Sequence, residues 1–97
     1  MRFTVIWSQD ALDQLTALWL RAANRNAVTA AQHQIDQLLR IDPDTRGFPF
    51  FGDRVLVVPP LRVRFSINTM DMIVEVLRVW RAHNGRPTET VSAARLP

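Results

Sequence analysis

The 97-residue sequence has no cysteine, no lysine and no tyrosine. The first absence excludes a disulfide framework and any thiolate metal site, and it suits a reducing cytoplasm. The second means that all twelve basic side chains are arginines, so positive charge is carried only as planar guanidinium forks. A GC-rich genome would produce the same bias. No apolar run is long enough to cross a membrane. The opening residues, Met1 to Ser8, also lack the apolar run of a signal peptide, and Gln9 and Asp10 follow at once. The expectation is a cytoplasmic protein without a membrane partner. The common catalytic signatures GxSxG, HExxH, GxGxxG and the Walker loop are missing as well. His33 and His83 are far apart, and no acid cluster stands near either at ligand spacing, so neither a metal nor a cofactor is implied.

What is present fits one small globular domain. At 47% hydrophobic and 22% charged, the composition excludes a disordered chain. This length leaves no room for a second core. The reading places a domain at 1–84 and a flexible tail at 85–97, where two prolines and small residues gather. Charge is uneven. Residues 1–46 balance five arginines against five acids, whereas residues 47–86 set six arginines against three acids. The surplus of the second half favours an anionic partner.

Periodicity predicts the element order β-αα-βββ, an α+β two-layer domain. Phe3, Val5 and Trp7 alternate with Thr4 and Ile6 in a first strand. Ser8 is suited to cap a helix over Gln9 to Ala23, with Asp10 in the first turn where the helix dipole favours an acid. Its apolar stripe is Ala11, Leu15, Leu18, Trp19 and Ala22. A second helix over Ala27 to Ile41 carries Val28, Ala31, Ile35, Leu38 and Leu39, and the short link makes the pair an antiparallel hairpin. Pro43 and Gly47 end that hairpin. Phe48 to Gly52 reads as an apolar loop plugged beneath the sheet. Three strands follow, Asp53 to Val58, Leu61 to Ile67 and Met72 to Arg81. In the middle one, Leu61, Val63, Phe65 and Ile67 face the helices while Arg62, Arg64, Ser66 and Asn68 face away. The last strand is apolar on both faces, hence interior, with Glu75 and Arg78 on opposite faces.

Arg62 and Arg64 therefore have two readings. They form an ordinary solvent face paired to neighbours such as Glu75, or they make a phosphate-binding row with Arg54, Arg78 or Arg81. His83, beyond the last strand, is either a surface residue or a general acid or base at the rim of the sheet, because imidazole titrates near neutral pH. His33 sits among Gln32 and Gln34 on the polar side of the second helix and reads as a solvated residue.

The segments Val5 to Leu15, Leu38 to Pro43 with Gly47, Arg54 to Val57, Leu61 to Ile67 and Ile73 to Trp80 occur in an order and spacing that resembles the RelE/ParE superfamily of toxins, found in bacterial type II toxin–antitoxin (plasmid stabilisation) modules. The resemblance covers Phe3 to about Arg81. It implies a small toxin that inhibits growth and is neutralised by a cognate antitoxin. RelE-like members cleave messenger RNA on the ribosome, the 2′-hydroxyl attacking the adjacent phosphate. ParE-like members poison DNA gyrase instead. For the nuclease branch the resemblance implies catalytic roles for Arg62 and Arg81, His83 is the titratable group nearby in this sequence, and the row read from the strands would add Arg54, Arg64 and Arg78 as phosphate- or target-binding residues. The chain departs from the family in lacking the tyrosine that several nuclease members use and the lysines that others cluster. The alternative is a non-toxic, basic binding or assembly module that keeps the fold.

Overall fold

The computed structural model describes residues 2–82; Met1, His83 and the expected tail lie outside the described residues. Its elements are β1 (Thr4–Trp7), α1 (Gln9–Arg21), α2 (Arg25–Arg40), a 3-10 turn (Pro43–Thr45), β2 (Phe48–Phe50), β3 (Asp53–Val58), β4 (Leu61–Asn68) and β5 (Ile73–Arg81). The expected order holds with one strand added. Ser8 caps α1 as its side chain implies, its Oγ accepting from the Ala11 N–H at 3.1 Å. Asn24 does the same for α2. Between the helices, Arg25 donates to the Trp19 and Leu20 carbonyls, satisfying acceptors that the end of α1 leaves open.

The strands form one sheet in the order β1-β5-β4-β3-β2, with β1 parallel to β5 and every other pair antiparallel. Phe48 to Phe50 is not a plug beneath the sheet but its edge strand. Gly47, Phe51 and Gly52 all adopt positive φ, which turns this stretch into a tight hairpin with β3. Phe51 at the hairpin tip is 86% exposed. Pro49 is tolerated there because an edge strand has one side without a ladder.

Both helices lie on one face of the sheet, α1 over β5 and α2 over β1, β3 and β4. Between them sit Ala11, Leu15, Val28, Ala31, Ile35, Leu39, Leu56, Val58, Leu61, Val63, Phe65, Val74, Val76 and Val79, all buried. The register read from β4 is the one observed: Phe65 is fully buried and Arg62 exposed. Four expected core residues differ, and of these Leu18 and Ile67 are only partly buried against the core. Leu38 is half-buried, and Trp19 remains 38% exposed on the flank of the hairpin, where the Arg25 guanidinium lies 4.6 Å over its ring.

Strand β5 departs from simple alternation. Arg64 pairs with Arg78 but Phe65 pairs with Val76, so Leu77 has no partner and the strand carries a bulge. Beyond this point the faces exchange. Val79 joins Val74 and Val76 in the core, and Glu75, Arg78 and Trp80 all look away from the helices. Glu75 and Arg78 thus share a face, contrary to the sequence expectation. Helix α1 serves the bulge directly, because β1 has ended at Trp7. Ser8 N–H donates to the Val76 carbonyl, Ser8 Oγ donates to the Leu77 carbonyl at 3.2 Å, and Gln14 Oε1 accepts from the Val79 N–H at 2.7 Å.

Candidate functional site

Among the described residues, no element covers the face of the sheet turned away from the helices, and the bulge decides what that face carries. Successive rungs set Arg62 opposite Trp80, Arg64 opposite Arg78 and Ser66 opposite Glu75. The Arg62 guanidinium lies 5.1 Å over the Trp80 ring and that of Arg64 lies 5.0 Å over Phe50 of the edge strand. Such contacts hold a guanidinium against an aromatic plane while leaving its N–H edge free to bind. Arg64 is further fixed by Asp53, whose Oδ2 accepts from its Nε at 2.7 Å. Its ion-pair partner is therefore Asp53 and not Glu75. Arg62 and Arg78 are exposed and make no ion pair among the described residues. The face can receive an anion on Arg62 and Arg78 and a planar group beside Trp80.

The other candidate arginines lie elsewhere. Arg54 is the rung partner of Phe65, on the helix-facing side, and donates to the Arg46 and Gly47 carbonyls at 2.8 and 3.2 Å. It ties the chain before β2 in place. Arg81 is opposite Leu61, again on the helix-facing side. It lines a cleft of about 480 Å³ at the open end of the hairpin, together with Arg21, Leu18, Val28, Pro59 and Pro60. Arg62 and Arg81 therefore occupy opposite faces and do not converge on one phosphate. His33 is exposed on α2, and His83 is outside the described residues.

Trp80 was missed as a member of this face, and Glu75, expected beside Arg62 and Arg64, was not expected to share it with Arg78. A signal existed: Glu75 and Arg78 are three residues apart, and two polar residues at odd spacing reach one face of a strand only across a bulge.

No family model matches the sequence, and no curated protein matches it. Solved structures do. The chain is similar to one from the RelBE2 toxin–antitoxin complex of Mycobacterium tuberculosis, at a TM-score of 0.71 and 20% identity over 84% of this chain and 92% of that one. It is similar to one from the chromosomal ParDE toxin–antitoxin system of P. aeruginosa, at 0.69 and 19% identity over 84% and 98%. It is also similar to one from the archaeal RelE–RelB complex of Pyrococcus horikoshii OT3, at 0.61 and 13% identity over 88% and 100%. A helical hairpin on one face of a five-stranded mixed sheet, superposable over most of the chain on these structures, is the RelE/ParE fold, and this chain has it.

Proposed function

We propose that the protein is the toxin of a toxin–antitoxin pair and acts as a ribosome-dependent mRNA endonuclease through the outer face of its sheet. One observation carries this reading: Arg62, Arg64 and Arg78 gather with Trp80 and Phe50 on a face that no other element covers among the described residues. Cleavage by a 2′-hydroxyl needs positive charge on the phosphate and a surface on which an unpaired base can stack. The antitoxin is the second partner. The cleft between the hairpin and the Pro59–Pro60 turn, with Arg21 and Arg81 over an apolar floor, suits an acidic segment with apolar side chains. Likeness to chains of toxin–antitoxin structures supports an antitoxin partner and does not choose between the two targets.

The test is to express the chain in bacteria while following mRNA integrity and DNA supercoiling together. Cut mRNA at unchanged supercoiling is expected. Arg62→Ala should reduce cleavage about 10²–10³-fold, the usual loss of a preorganised charge donor, and leave thermal unfolding unchanged. A gyrase poison is the second reading, favoured by the separation of Arg62 from Arg81 across the sheet. Intact mRNA with impaired supercoiling would establish it. If neither responds, the chain is a non-toxic module with this fold.

A further inference from the structure

Among the described residues, the outer face holds two carboxylates, and they differ in what they touch. Asp53 accepts from Arg64 at 2.7 Å, and both side chains are mostly shielded, at 19% and 29% exposure. Glu75 is exposed and makes no ion pair among the described residues. Its rung partners are Ser66 on β4 and Ile6 on β1. The adjacent outward rung is Arg64–Arg78, two residues along β4 and so about 7 Å away. Side chains as long as arginine and glutamate bridge that spacing. One nucleotide can thus lie with its phosphate on Arg78 and its ribose over Glu75.

We propose that Glu75 is the proton acceptor of this site, an assignment that rests on the nuclease reading above. The 2′-O–H bond breaks as its proton passes to a carboxylate oxygen of Glu75. The 2′-oxygen bonds the adjacent phosphorus, the P–O5′ bond breaks, and the 5′-oxygen takes a proton from water. The products are a 2′,3′-cyclic phosphate end and a 5′-hydroxyl end, and Glu75 returns its proton to solvent. Arg78 and Arg62 face the charge that builds on the non-bridging oxygens. The bulge is essential to this arrangement, since regular alternation would separate Glu75 from Arg78 by the thickness of the sheet.

Glu75→Gln keeps the shape of the side chain and one acceptor oxygen, replaces the other with an N–H donor, and removes its capacity to accept a proton. In single-turnover cleavage of mRNA on programmed ribosomes by the full chain, it should lower the rate about 10²–10⁴-fold, the range of general acid–base catalysis. Ribosome binding and thermal unfolding should not change, and Glu75→Asp should recover part of the rate. A wild-type rate for Glu75→Gln would overturn the assignment while leaving the nuclease reading in place. So would a variant that loses binding but keeps its rate at saturation. A wild-type chain that leaves mRNA intact would overturn the nuclease reading, and this assignment with it.

Discussion

Replacing Gln14 with alanine tests how the bulge is held. Gln14 Oε1 accepts from the Val79 N–H at 2.7 Å, at a point where β5 has lost its neighbour β1 and Val79 is buried. Removing the acceptor leaves a backbone donor unpaired in a site that water enters poorly, which costs about 1–3 kcal/mol. For a domain of this size each kcal/mol moves the unfolding midpoint by roughly 4–8 °C, so Gln14→Ala should show a clear drop by circular dichroism. The local signature is sharper. Hydrogen exchange at the Val79 amide should accelerate well beyond the change at Val63, its rung partner on β4. Gln14→Glu retains an acceptor oxygen and should behave like the wild type in the exchange measurement. If Gln14→Ala leaves both the midpoint and the Val79 exchange rate unchanged, the glutamine does not hold the strand and the account of the bulge is wrong.

Two further substitutions test other joints. Gly47→Ala should destabilise strongly, because an added Cβ would lie 1.9 Å from the Val55 carbonyl oxygen and φ is +65°. The left-handed backbone alone costs about 1–3 kcal/mol, and an unchanged urea midpoint would refute the reasoning. Arg54→Ala should lower stability by about 0.5–1.5 kcal/mol through its lost bonds to Arg46 and Gly47. Toxicity on induction should remain, in contrast to Arg62→Ala. Equal loss of toxicity from both would mean that the inner-face arginine also meets the target.

The parts of the fold that obey one period were legible. Ser8, the spacing Ala11–Leu15–Leu18 and the alternation Leu61–Val63–Phe65 each specify a face, and each element formed as read. Strand β2 was not legible. Three phenylalanines around a proline suggest burial, but backbone turns at Gly47 and Phe51-Gly52 recruited them to the sheet edge. For the candidate site, Arg62 and Arg64 followed directly from alternation in β4. The position of Arg81 did not, because one unpaired residue at Leu77 reverses every assignment after it. The spacing of Glu75 and Arg78 signals that reversal but does not place it. The reversal is set from α1, by Ser8 and Gln14, more than sixty positions away in sequence.

The edge strand has a consequence for how copies of the chain behave in a crowded solution. A free sheet edge invites a second chain to zip onto it, and exposed Phe48 and Phe51 would add an incentive. Strand β2 is only three residues long, and its central residue, Pro49, has no N–H to offer. Stacking through the outer face would bring Arg62, Arg64 and Arg78 of one copy against those of another. Short length, a missing donor and like-charge repulsion together disfavour self-association through β2 and through the outer face.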